Sequence, residues 1–139
     1  MNLKNILEAF RKKGHRLTKT RKAMVRVFLH NNRPLSAADI NSRLEHLAVT
    51  VNKTTIYREI DFLKKERFIR EIELGDGMKR YELWPDDHHH HLICVECNSV
   101  KCIDMEHCLV NEEKKISEKN NFKIMEHSLK FFGLCAKCQ

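Results

Sequence analysis

The most informative segment of the chain runs from Asn52 to Leu83 and reads NKTTIYREIDFLKKERFIREIELGDGMKRYEL. Its first half places apolar residues at helical spacing, and Asn52 stands in the N-cap position, so we predict an amphipathic helix. Its second half contains two strand-like runs around Gly75-Asp76-Gly77, which predicts a β-hairpin. A helix followed directly by a hairpin indicates an α+β architecture.

The predicted helix has two unlike faces. The apolar stripe consists of Ile56, Ile60 and Leu63. The opposite face carries Thr54, Tyr57, Arg58 and Asp61. Hydroxyl, aromatic and guanidinium groups on one exposed face can contact phosphates and base edges in a DNA major groove. An ordinary amphipathic helix has the same stripe, so the pattern alone leaves both interpretations open.

Three more helices are expected upstream. Apolar residues recur at helical spacing from Leu3 to Phe10 and again from Met24 to Phe28. After Pro34, the segment Ser36-Ala-Ala-Asp39 is a helix-start signature. Three core helices and a hairpin describe a winged helix-turn-helix, with the leading helix as an extra packing element.

The charge distribution predicts two domains. The chain has 26 Lys and Arg against 19 Asp and Glu, and the basic excess lies in residues 1–84. Residues 85–139 are mildly acidic. A basic half is typical of polyanion binding, so we place a boundary near Trp84-Pro85. No apolar run approaches the roughly 20 residues of a membrane span, and we expect a cytoplasmic protein without a membrane partner.

All six cysteines lie in the second half, and two Cys-x-x-Cys pairs are the strongest metal signal. The pairs are Cys94, Cys97, Cys135 and Cys138, which match a closed tetrahedral zinc site. A redox dithiol and a pair of disulfides are the alternatives. Around these pairs we predict short strands at 91–95 and 99–103, a helix at 105–119 and a long final strand at 120–135.

Four consecutive histidines, His88 to His91, form a second metal signal. In an extended segment neighbouring side chains point to opposite sides, so the run can serve two separate sites. Further candidate ligands are Glu82, Cys102, Glu106, His107, Cys108 and His127. Such a mixture suits zinc, iron, manganese or nickel, and thiolate favours zinc. A solvated histidine-rich loop is the alternative.

Seven segments in order resemble the ferric uptake regulator superfamily of bacterial metal-dependent repressors. They are GHRLTKTRKAMVRVF, LSAADI, TTIYREIDFL, YEL, HHHHLICVEC, EHSL and GLCAKC. The resemblance implies an N-terminal winged helix, residues 1–84, and a small α/β dimerisation domain with a structural zinc, residues 85–139. It also implies a homodimer that binds a pseudo-palindromic, AT-rich operator in double-stranded DNA when a second divalent metal, Fe²⁺ or Zn²⁺, is bound.

The resemblance also assigns roles to individual residues. For DNA it implicates Lys19, Tyr57 and Arg58, to which the exposed face of the predicted helix adds Thr54. For a regulatory site at the domain junction it implicates Glu82, His89 and His91, with Cys102 where a carboxylate is expected. For a second site it implicates His88, His90 and His127, with Glu106, His107 or Cys108 in place of a glutamate. The four cysteines match the structural zinc ligands.

Departures from the family pattern leave the regulatory metal open. His90 replaces an expected aspartate, which favours Zn²⁺, yet Trp84 stands where zinc-sensing members have a cysteine. Arg33-Pro34 occupies the place of a family histidine. Peroxide-sensing and zinc-sensing members, and a metal buffer without specific DNA binding, are therefore alternatives to the metal-responsive repressor. No HExxH, GxSxG or phosphate-loop motif occurs, so we expect neither an enzyme nor a small-molecule substrate.

Overall fold

The structure is a computed structural model that describes residues 2–84 and 88–139. It divides into two compact units, Met1–Trp84 and Pro85–Gln139. Among the described residues, the first unit contains four helices and a hairpin, and the second contains a three-stranded sheet and one helix. These elements confirm the predicted α+β class. Within the described ranges, no helix is long and apolar enough to cross a membrane.

The four predicted helices of the first unit are present, and each begins at a polar cap. Their bounds are Leu3–Lys12 (α1), Lys19–Leu29 (α2), Ala37–His46 (α3) and Lys53–Lys65 (α4). Asn52 caps α4 by accepting from the Thr55 amide at 2.8 Å. Ser36 and Asp39 form the reciprocal capping box expected at the start of α3.

The hairpin consists of strands β1 (Ile69–Glu73) and β2 (Lys79–Leu83), paired antiparallel with Ile69 opposite Leu83. Gly75 and Gly77 have φ of 87° and 73°, a conformation that glycine adopts without the Cβ penalty. A bridge from Leu35 to Tyr81 joins the segment before α3 to β2. The hairpin is therefore joined to the segment before α3 through the middle of β2.

The core of the first unit confirms the apolar stripe of α4. Ile56, Ile60 and Leu63 are buried against side chains from the other three helices and the hairpin, including Phe10, Phe28 and Leu44. Glu59 is also buried on this helix, which the apolar pattern does not predict. Its carboxylate accepts two hydrogen bonds from the guanidinium of Arg21 on α2, at 2.9 and 3.0 Å.

The second unit is a small sheet in the order β4-β3-β5. Strand β3 (His90–Cys94) pairs antiparallel with β4 (Val100–Ile103) and parallel with β5 (Lys130–Gly133). Helix α5 spans Val110–Asn120. Because β3 and β5 run parallel and end at the same level, the residues that follow them lie close together at the carboxyl end of these strands.

Two predicted element boundaries were wrong. The final strand is four residues long, because its parallel register places Lys130 opposite His91 and leaves earlier residues beyond the start of β3. The helix expected at 105–119 begins only at Val110. Leu109, directly before the helix, has a left-handed backbone with φ of 37°. The residue before it, Cys108, has its side chain buried, so this stretch forms a turn and not helix.

The second unit has almost no apolar interior. Among its described residues only five are buried: His90, His91, Ile93, Cys94 and Cys108. Four of these five are of residue types that bind metal ions. In contrast, ten of its large apolar side chains are exposed, among them Met125, Phe131 and Phe132. A unit of this size needs a further source of stability, such as a metal ion or a partner subunit.

Candidate metal centres and nucleic-acid interface

The four-cysteine cluster consists of Cys94, Cys97, Cys135 and Cys138, whose sulfur atoms all lie within 4.8 Å of one another. Cys94 ends β3, and Cys135 follows two residues after β5. The Sγ atoms of Cys97 and Cys135 are 3.7 Å apart, and all four thiols are free. Tetrahedral zinc with Zn–S distances of about 2.3 Å separates sulfur atoms by about 3.8 Å, so the donor set fits zinc.

Two thiols of this cluster are biased toward the thiolate form, which is the form that binds metal ions. The backbone N–H of Cys97 is the main reason that the pKa of Cys94 falls to about 6. The backbone N–H of Lys137 lowers the pKa of Cys135, whereas the hydrogen bond to Cys135 raises the pKa of Cys138 to about 12. The cluster thus contains groups that favour the thiolate form beside one that favours the thiol form. A divalent cation that binds to the four sulfur atoms would displace the remaining protons.

The inner cluster consists of His88, His90, Cys108 and His127, whose donor atoms also lie within 4.8 Å of one another. The Nε2 atom of His127 is 2.7 Å from His88 Nε2 and 3.0 Å from Cys108 Sγ. His90 Nε2 is 2.7 Å from the same sulfur. Burial lowers the pKa of His90, and the nearby His88 and His127 lower it further. A neutral imidazole is the form that binds a metal ion.

The carboxylate associated with the inner cluster is Glu113, a residue that no sequence pattern indicated. Its side chain accepts a hydrogen bond from Nδ1 of His127. Glu106, the carboxylate predicted for this site, is exposed and does not join the group, whereas the alternative Cys108 does. The helix was predicted to begin too early in the chain. Its start at Val110 puts Glu113 in the first turn, beside the cluster.

The β3–β4 cluster consists of His89, His91 and Cys102, on the second unit. His91 and Cys102 are directly opposite each other in the antiparallel pair, and the rings of His89 and His91 are 5.1 Å apart. The histidine run thus alternates between two groups, as an extended segment requires. Glu82, the predicted fourth ligand, belongs to the hairpin of the first unit, where Arg70 pairs with it at 2.7 Å.

The predicted DNA-contacting side chains lie at the surface of the first unit. On α4, Thr54 and Arg58 are exposed and Tyr57 is 41% exposed. The ammonium group of Lys53 lies 5.9 Å from the centre of the Tyr57 ring. Lys19, at the start of α2, is exposed as well. The face opposite the buried stripe of α4 is therefore open to a macromolecular partner.

Comparison with known proteins decides the family. The sequence model of the ferric uptake regulator family matches residues 12–132. The chain belongs to the ferric uptake regulator family. This family member is 33% identical to the ferric uptake regulation protein of Bacillus subtilis, over 98% of its own length and 96% of that protein. It is 30% identical to the Helicobacter pylori protein of the same name, over 99% and 93% of the two chains.

Solved structures show the same fold. The chain superposes on a structure of the H. pylori ferric uptake regulator with a TM-score of 0.84 and 27% identity, covering 99% of this chain and 94% of that one. That structure is described as revealing three functional metal binding sites. An iron-containing structure of the Francisella tularensis regulator has a TM-score of 0.79 at 26% identity, covering 90% and 95%.

Family membership makes this protein a metal-responsive transcriptional regulator. It carries a zinc-type four-cysteine cluster and histidine-rich groups for a second divalent metal. Its metal groups contain softer donors than the family resemblance implied, because the thiols of Cys102 and Cys108 and the imidazole of His90 stand where carboxylates were expected.

Proposed function

We propose that the protein is a repressor that binds operator DNA as a homodimer when divalent metal occupies its histidine-containing clusters. The observation that carries the proposal is the split of one histidine run into two groups of metal ligands, in a chain whose other unit is a winged helix. The four-cysteine cluster has a separate role, which is to hold the second unit together. Metal binding then acts by favouring one DNA-binding conformation over others.

The DNA-binding part of the proposal rests on the exposed face of α4. Tyr57 offers a ring and a hydroxyl group, and Arg58 offers a guanidinium that can bind two acceptors on a guanine edge. Lys19 would contact phosphates, which position the helix without reading sequence. Thr54 lies one turn before Arg58 on the same face.

The homodimer is supported by the exposed apolar side chains of the second unit. Strand β5 is an edge of the sheet, and its Phe131 and Phe132 are exposed together with Met125, which is 81% exposed. An edge strand with large apolar side chains is a template for association. A second copy of the chain offers the same surface, so a twofold interface is self-complementary.

The ligand assignments follow from the groups described above. We assign His88, His90, Cys108 and His127 to one regulatory ion. His89, His91 and Cys102 provide three donors for another, and Glu82 stays a sequence-based prediction for its fourth ligand.

The proposal is tested by coupling DNA binding to metal. Duplexes selected from a random library by zinc-loaded protein would serve as the operator probe. We expect added Zn²⁺ or Fe²⁺ to tighten binding about 5- to 150-fold at constant salt, the usual range of coupling between two sites. The zinc content of the four-cysteine cluster is measured in the same samples. Equal affinity with and without the second metal, while that cluster stays filled, would contradict the proposal.

Replacing Arg58 with alanine should weaken binding to the selected duplex by about 1–3 kcal/mol, the usual worth of a good bidentate base contact. Arg11→Ala is the matched control, because it removes the same charge from the exposed surface of another helix, α1. Fluorescence anisotropy with a labelled duplex measures both affinities. In a metal buffer without specific DNA binding, neither change would alter the affinity for the duplex. Equal duplex affinities of the two variants would therefore favour that alternative.

A further inference from the structure

Helix α5 has few apolar contacts with the rest of the second unit. None of its residues is buried, and its apolar residues Val110 and Ile116 are 68% and 51% exposed. It therefore lacks the apolar stripe that normally holds a helix on a sheet. Two side chains connect it to the inner cluster instead. Cys108 lies two residues before its first turn, and Glu113 contacts His127 from within that turn.

The contact with Glu113 determines how His127 presents its ring. A neutral imidazole carries one N–H and one lone pair. With Nδ1–H donating to the carboxylate, the lone pair resides on Nε2. That nitrogen is the atom that faces His88 and Cys108, at 2.7 and 3.0 Å. A carboxylate on the outer nitrogen of a metal-binding histidine orients the ring and makes it a better donor.

The donor set of the inner cluster defines the class of ion. Three imidazole nitrogens and one sulfur converge, and no carboxylate is among the four grouped donor atoms. Four nitrogen and sulfur donors suit the tetrahedral coordination of Zn²⁺, and Co²⁺ can serve as its spectroscopic probe. Mn²⁺ and Mg²⁺ prefer six oxygen donors, so this cluster disfavours them.

We propose that a tetrahedral ion of the zinc class, bound in the inner cluster, fastens helix α5 to strand β3, with Glu113 as the residue that positions His127. This inference rests on the proposed function, in which the inner cluster is a regulatory metal site. It adds that the ion would hold three segments of the chain together. Strand β3 contributes His90, the turn before α5 contributes Cys108, and the segment before β5 contributes His127. One ion thereby joins three segments that share little apolar contact.

Cobalt binding tests the positioning role. Full-length protein with zinc in the four-cysteine cluster and a Cys102→Ser background is titrated with Co²⁺, while the sulfur-to-cobalt charge-transfer absorption is recorded. We expect Glu113→Ala to weaken Co²⁺ binding about 10- to 100-fold, as loss of such an orienting partner usually does. Glu112→Ala is the matched control, since it removes the same charge from the same exposed helical turn. Glu113→Gln keeps an acceptor and should recover part of the affinity.

Hydrogen exchange tests the fastening of α5. Saturation with Co²⁺ should slow amide exchange across Val110–Asn120 in the parent protein and in Glu112→Ala. Cys108→Ser should lose both the absorption band and the protection. The inference is overturned if Glu113→Ala binds Co²⁺ as tightly as Glu112→Ala, or if α5 exchanges at the same rate with and without the ion. Operator affinity of the parent protein, with Cys102 intact, is measured in parallel and keeps the two proposals apart, because a cobalt-independent affinity contradicts only the proposed function.

Discussion

Stripping the ion from the four-cysteine cluster is expected to unfold the second unit while the first unit stays folded. The described part of the second unit buries one aliphatic side chain, Ile93, whereas the first unit has a continuous apolar core. A structural zinc contributes on the order of 10–16 kcal/mol to the folding of such small domains, far more than the burial of Ile93 can.

The two units can be followed separately in the intact protein. Trp84 is the only tryptophan, and the guanidinium of Arg67, also in the first unit, lies 5.9 Å from the centre of its ring, so its fluorescence reports on the first unit. We expect a strong chelator to abolish the dispersed amide signals of residues 88–139 in NMR spectra and to leave Trp84 emission unchanged.

A pair of variants provides the control for zinc removal. Cys97→Ser should behave like the chelated protein, because Cys97 is one of the four grouped sulfur ligands. Cys102→Ser removes a thiol outside that cluster and should leave the second unit folded. A second unit that stays folded with the cluster emptied, or that unfolds equally in both variants, would show that the zinc is not its main source of stability.

Replacing Arg21 with alanine should destabilise the first unit by about 3–5 kcal/mol, the usual cost of leaving one partner of a buried ion pair alone. The side chains of Arg21 and Glu59 are 14% and 10% exposed, and two hydrogen bonds join them. The guanidinium also lies 3.5 Å from the centre of the Phe62 ring and donates to the Arg16 carbonyl. The pair thus joins α2 to the helix that we propose reads DNA.

Denaturant unfolding followed by Trp84 fluorescence measures this effect. Lys64→Ala is the control, because it breaks a pair with Glu71 that is about one-third exposed, and exposed pairs contribute about 0–1 kcal/mol. The double variant Arg21→Met with Glu59→Leu should recover much of the loss, since it removes both charges together. A cost for Arg21→Ala as small as that for Lys64→Ala would show that the pair adds little to stability.

Local patterns account for what could be predicted. The faces of α4, the caps Ser36 and Asn52 and the glycine-flanked turn all depend on residues a few positions apart, and the structure has each of them. The same holds for the alternation of the histidine run. The four cysteines could be grouped without the fold because zinc requires four donors and two close pairs supply them.

Contacts between distant residues account for what could not be predicted. Glu59 has the pattern of a surface residue and is buried only because Arg21 lies opposite it, 38 positions away. Glu113 reaches His127 only because α5 begins at Val110, and that start depends on Cys108 being inserted between histidines. The final strand is short because its partner β3 begins at His90, which no feature of residues 120–135 reveals.

The amino-acid sequence by itself determined the winged helix, the α+β class, the four-cysteine set and the division of the histidines into two groups, since these follow from periodicity and ligand spacing. Only the tertiary structure decided that Cys108 rather than Glu106 completes the inner cluster and that Glu113 orients His127. Helical and strand periods define which way a side chain points. Which distant side chain it meets depends on register and on where each element ends, and these are settled when the chain packs.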